Sequence, residues 1–116
     1  MASAVTSEQS TPSQKQTTGA CLVVDALVDH GVERVFCVPG QNFLAVLDSL
    51  HDETGNIQTI VCRHEAGAAN MAEAVSASSP AVPASRSSHA GLGATYASIG
   101  VHTAFQDSTP MILLIG

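Results

Sequence analysis

One acidic side chain stands out as a group that could do chemistry. It is Glu65, in Cys62-Arg63-His64-Glu65-Ala66-Gly67-Ala68-Ala69-Asn70-Met71-Ala72-Glu73-Ala74. Before it, Ile57-Gln58-Thr59-Ile60-Val61-Cys62 is a short apolar, partly β-branched run that predicts a buried strand. After it the residues are small and helix-favouring, with Ala69, Ala72 and Val75 forming a thin apolar stripe. Glu65 therefore falls where a strand hands over to a helix, at the carboxyl end of the strand. In open α/β sheets that edge is where ligands bind. Gly67 and the alanines let this helix approach a neighbour closely. A structural reading stands beside the chemical one, because the helix macrodipole alone favours an acid in the first turn. His64 and His102 are able to carry protons, or are simply polar residues at element ends. Cys21, Cys37 and Cys62 are odd in number, scattered and set in apolar segments. They predict buried reduced thiols and neither a disulfide framework nor a metal site.

The elements that must hold Glu65 are legible from spacing. The 116 residues allow one domain, and 45% apolar content with only 3% aromatics calls for a core of Ala, Val, Leu and Ile. A net charge of −6 with four basic residues argues against nucleic-acid binding. No apolar run approaches the roughly 18 residues of a membrane span, and no secretion signal opens the chain, so a cytoplasmic location is expected. Residues 1–16 are Ser, Thr, Gln and Pro with little to bury and predict a disordered tail, leaving 17–116 as the domain. Thr17 or Thr18 can cap a helix whose stripe is Ala20, Val23, Val24, Leu27 and Val28, and Gly31 ends it. A strand over 34–38 stops at Pro39-Gly40. Phe43, Val46, Leu47 and Leu50 mark a second helix, and residues 52–56 turn into the strand before Glu65. Residues 94–105 predict another helix, weakened by Gly100, and 110–115 an all-apolar strand. The alternation is that of an α/β fold, an open and mostly parallel sheet with flanking helices. Because no covering helix follows the last strand before Gly116, the domain reads as incomplete.

Four stretches taken together resemble the amino-terminal, pyrimidine-binding domain of thiamine-diphosphate enzymes of the acetolactate synthase family. They are Gly31-Val32-Glu33-Arg34-Val35-Phe36 with Val38-Pro39-Gly40; the 43–50 helix; Arg63-His64-Glu65-Ala66-Gly67-Ala68-Ala69; and the run from Ala97 to Pro110, which contains His102-Thr103-Ala104-Phe105-Gln106-Asp107-Ser108. The resemblance implies that Glu65 lies against N1′ of the cofactor's aminopyrimidine and favours its imino tautomer. The 4′-imino group then removes the thiazolium C2 proton to give the ylide that attacks a 2-oxo acid, leading to decarboxylation or carboligation. It also implies that Pro39 and Gly40 flank the pyrimidine, although an ordinary strand-ending turn explains them equally well. Phe105 and Gln106 match positions on the substrate side, with a helix end as their plain alternative. Thiamine diphosphate and Mg²⁺ are the implied cofactors, the metal and diphosphate being held by a domain outside these residues. FAD accompanies some members, and nothing here calls for it. The implied partners are a small 2-oxo acid and further subunits, as a homodimer or homotetramer of the complete enzyme, with no nucleic acid or membrane.

The sequence departs from that pattern between Ala77 and Gly93, where a loop, an apolar strand and a Gly-Pro-Gly turn are expected. Instead the segment carries Pro80, Pro83 and a run of serines, which predicts a loop and a sheet lacking one strand. Back-translated with GC-rich codons and read one base earlier, residues 78–93 can give Lys-Leu-Thr-Gly-Arg-Pro-Gly-Ile-Ser-Leu-Val-Thr-Arg-Gly-Pro-Gly. That is the missing loop, strand and turn, and a frameshifted stretch explains it; a divergent loop is the alternative. The expectation is a chain inactive alone that at most binds the pyrimidine half weakly. A non-catalytic interaction module, or an unstable pseudogene-type fragment, is the competing reading.

Overall fold

The structure, a computed structural model, describes residues 17–78, 87–90 and 93–115. Helix α1 (Gly19–Asp29) starts at Thr18, whose side chain accepts a hydrogen bond from the Cys21 N–H at 3.2 Å. It ends at Gly31, whose φ of +72° is the left-handed conformation that glycine adopts freely. The Val32 N–H then reaches back to the Leu27 carbonyl at 2.9 Å, satisfying one of the orphan carbonyls of the last turn. Strand β1 (Arg34–Cys37) leads through Pro39-Gly40 and a single 3₁₀ turn (Gln41–Phe43) into α2 (Leu44–Asp52). Strand β2 (Gln58–Val61), α3 (Glu65–Ala77), β3 (Ser87–Ala90), α4 (Ala94–Gln106) and β4 (Ile112–Leu114) follow.

The four strands form one parallel sheet in the order β2-β1-β3-β4. Successive residues of β1 face opposite sides, and both sides are covered, which is why Val35, Phe36 and Cys37 are apolar without alternation. Val35 and Cys37 join Val24, Leu27, Leu50 and Ile57 in the core under α1 and α2. Phe36 points the other way, into a second core with Cys62, Ala68 and Ala72 beneath α3. Helices α3 and α4 cross on that second side with almost no side chain between them. A methyl group at Gly100 would lie 2.8 Å from the carbonyl carbon of Ala69 and 2.9 Å from the Asn70 nitrogen. The far end of α3 is tied to the loop before β4: the buried Ser76 hydroxyl donates to the Pro110 carbonyl at 2.8 Å, and Thr109 donates to Glu73 at 3.3 Å.

Three expectations are corrected. Strand β2, expected to be buried, is an edge strand with Gln58 and Val61 exposed. Val23 is 38% exposed, at the edge of the α1 stripe rather than within it. More consequential is β3, because a loop was expected throughout 77–93. The backbone of Ser87–Ala90 pairs with β1 on one side and β4 on the other, so the sheet is continuous. Ladder hydrogen bonds use main-chain groups, and two partner strands outweigh poor intrinsic β-propensity. Pro80 and Pro83, on which that expectation rested, precede the strand in the chain and lie outside the described residues. In the shifted reading frame, the same four positions carry Leu-Val-Thr-Arg.

Candidate active site

From β1 the chain moves outward to β2, then returns across β1 to β3 and continues outward to β4. The direction of winding therefore reverses between β1 and β3. At the carboxyl edge of such a reversal the following loops part, α2 going to one face and α3 and α4 to the other, which opens a crevice. Three strand-to-helix passages surround it: Pro39-Gly40 after β1, His64-Glu65 after β2, and Gly93 after β3.

Glu65 is the first residue of α3 and is half-buried. Two backbone features place it. His64 is the N-cap, in extended conformation, and its Nδ1 accepts the Ala66 N–H at 3.1 Å. From α4, Gly93 brings bare backbone against the glutamate side chain. A methyl group there would sit 2.7 Å from Cγ of Glu65 and nearer still to Cδ and Oε1. The carboxylate occupies the space that any side chain at position 93 would take. Among the described residues none donates a hydrogen bond to it or pairs with it. A half-buried carboxylate that no described residue engages at the switch point can accept a hydrogen bond from, or share a proton with, a ligand nitrogen.

Around this group stand an exposed Tyr96 in the first turn of α4 and the His64 imidazole, with ring centroids 5.5 Å apart and planes at 59°. Pro39 is exposed and Gly40 half-buried at the neighbouring passage, on the same edge of the sheet. Phe105 and Gln106 lie elsewhere. Helix α4 runs from the carboxyl edge at Gly93 back to the amino edge before β4, so twelve residues of helical rise, roughly 18 Å, separate them from Glu65. Phe105 is 80% exposed, beside a shallow hollow lined by Val101, Thr109 and Met111. Within this chain they are not part of the Glu65 crevice. His102 is exposed midway along α4 and also lies apart. A larger groove of about 490 Å³, between Leu47 and His51 of α2 and Thr59 of β2, opens on the opposite face of the sheet from α3.

Burial raises the thiols of Cys37 and Cys62 above the ordinary thiol value, and the proximity of Cys62 adds to the shift at Cys37. They remain neutral core side chains. Among the described residues no three His, Cys, Asp or Glu side chains are grouped to hold a metal ion, and no helix is long and apolar enough to cross a membrane. Sequence reasoning singled out Glu65 but missed Gly93 and Tyr96. The signal for Gly93 was present, a glycine immediately before a helical segment, but it closed a stretch that read as a loop.

Residues 17–116 match the family described as thiamine pyrophosphate enzyme, N-terminal TPP binding domain. The large subunit of acetolactate synthase from Haemophilus influenzae is 40% identical over 102 residues, covering 88% of this chain and 18% of that protein. The isozyme 3 large subunit from Escherichia coli is 38% identical over 99 residues, covering 85% and 17%. Acetolactate synthase from Bacillus subtilis is 43% identical over 100 residues, covering 84% and 17%. The chain thus spans less than a fifth of the length of the relatives it matches. A parallel sheet with a reversal beside β1, a carboxylate at that reversal and a match across every described element lead to one assignment: this chain belongs to the family of thiamine pyrophosphate enzyme N-terminal domains, related to acetolactate synthase.

Proposed function

We propose that the chain binds the aminopyrimidine half of thiamine diphosphate, with Glu65 as the residue that holds the proton at N1′. The observation that carries this reading is the Glu65 carboxylate, without a partner among the described residues and seated against the bare backbone of Gly93 at the switch point of the sheet. The residues fit the group: a flat heterocycle needs an acceptor at one ring nitrogen and backbone that approaches without side chains, and Glu65 and Gly93 offer both. Pro39 and Gly40 border the same edge and limit how far the ring can slide toward β1. When bound, thiamine diphosphate supplies the carbanion chemistry by which such enzymes act on 2-oxo acids. What this chain contributes is orientation and proton placement at one nitrogen.

The diphosphate and Mg²⁺ are assigned to a different part of the complete protein, which in this reading is a homodimer or homotetramer. A substrate contact by Phe105 and Gln106 then needs a second surface, brought by that remainder or by a partner subunit. The chain alone is therefore inactive on pyruvate with cofactor and Mg²⁺. The test is titration of the purified chain with thiamine diphosphate and with thiamine, beside Glu65→Gln. Weak binding of both ligands, lost in the variant, supports the reading; equal binding by parent and variant contradicts it.

A second reading, a non-catalytic interaction module, draws on the exposed Ile99 and Phe105 of α4. Cofactor-independent co-purification with a full-length relative would favour it.

A further inference from the structure

We propose that His64 and Tyr96 act as a coupled pair that positions Glu65, with the unprotonated imidazole as the working form. The inference rests on the role given to Glu65 above. Its geometry starts at the cap. His64 Nδ1 accepts the Ala66 N–H at 3.1 Å, so that nitrogen must carry a free lone pair and the ring proton sits on Nε2. An imidazolium has no acceptor, and a positive charge at a helix N-terminus also opposes the macrodipole. Protonation therefore removes the cap from the turn that begins with Glu65.

Tyr96 reaches this imidazole from the other helix. The tilted contact, 5.5 Å between centroids, is of the kind that holds aromatic pairs together, and it bridges the first turns of α3 and α4 just where Gly93 meets Glu65. Tyr96 is 63% exposed, so it is not placed there by core packing. What its ring does is fix the rotation of the His64 side chain. Among the described residues, the titratable and charged groups nearest the imidazole are Glu65 next to it in α3, the Tyr96 hydroxyl from α4 and Arg63 immediately before it. His64 and Tyr96 are positioning residues; neither is given a chemical step.

The test is amide hydrogen exchange at Ala66 in the full chain, expressed as a protection factor so that intrinsic pH effects cancel. His64 is titrated in parallel through its Cε1–H resonance. In the parent, protection falls about fivefold as His64 protonates, the scale of a lost helix cap. Tyr96→Ala loses a similar factor at neutral pH, whereas Tyr96→Phe, which keeps the ring, retains protection. His64→Asn, a good cap that does not titrate, keeps protection at every pH. The pH profile of thiamine diphosphate binding flattens in the same variant. Protection at Ala66 that ignores the His64 titration, or that is unchanged in Tyr96→Ala, overturns the proposal. If the amide pattern holds but no form binds thiamine diphosphate, the reading of Glu65 fails while the positioning of its turn stands.

Discussion

Replacing Gly93 with alanine separates the site from the fold. The backbone at Gly93 has φ −101° and ψ 49°, outside the left-handed region, so alanine meets no conformational strain there. The added methyl does meet Glu65. Ordinary contact between such atoms begins near 3.4 Å, and Cγ lies at 2.7 Å, with Cδ and Oε1 closer. The carboxyl group must swing away by roughly 1 Å, the scale of misplacement at which positioned chemistry fails. Glu65 is half-buried and its side chain can rotate toward solvent, so the fold absorbs the change. We expect the midpoint of thermal unfolding to shift by less than the equivalent of ~1 kcal/mol. Loss of one hydrogen bond to a charged group is worth about 1.5–3 kcal/mol, so affinity for thiamine diphosphate should drop about 10- to 100-fold. The assay is ligand titration followed by NMR, paired with thermal unfolding of the same samples. Unchanged affinity in a folded Gly93→Ala chain would refute the claim that the glycine makes room for a working carboxylate.

Further outcomes follow from the packing and the titrations. At Gly100 the obstruction is backbone of α3, which cannot rotate aside; Gly100→Ala should force the helices apart and lower stability by about 1–3 kcal/mol, read by denaturant unfolding. Cys37 and Cys62 have raised pKa values in the folded chain, so their contribution to stability is intact below the unfolded thiol value and is lost as pH rises past it. Denaturant midpoints should therefore decline above about pH 8.5, and Cys37→Ser with Cys62→Ser should flatten that decline. Resequencing the coding DNA from the codon of Ala74 past Gly116 tests the shifted frame. A corrected frame should read Leu-Val-Thr-Arg across β3, and confirmation of the sequence as written excludes the frameshift.

Much of the fold was legible because its local signals agree. Thr18 and Gly31 bracket α1 by their own chemistry, one hydroxyl accepting from Cys21 and one backbone free to take φ of +72°. The run from Val35 to Cys37 is apolar at every position because both faces of β1 are covered, and that pattern survives in the sequence. β3 was illegible for the converse reason. Ser87–Ala90 has no β-branched or aromatic residue, and its strand state comes from β1 and β4, residues far away in the chain. The place of Glu65 at the start of α3 could be read because a lone acid at a strand-to-helix junction stands out among small residues. Gly93 and Tyr96 could not be found, since what makes them matter is the crossing of α3 and α4. Phe105 and Gln106, singled out by motif position, are carried by the direction of α4 to the far edge of the sheet, which spacing along the chain does not reveal.

The most direct test of the Glu65 assignment is the ¹⁵N spectrum of thiamine diphosphate labelled at N1′, recorded with the parent chain and with Glu65→Gln. The account predicts that the N1′ resonance moves toward the protonated position on binding to the parent, and that this movement is absent with the variant at equal ligand occupancy. An N1′ resonance that stays at its free position with the parent, or moves equally with both chains, would contradict it.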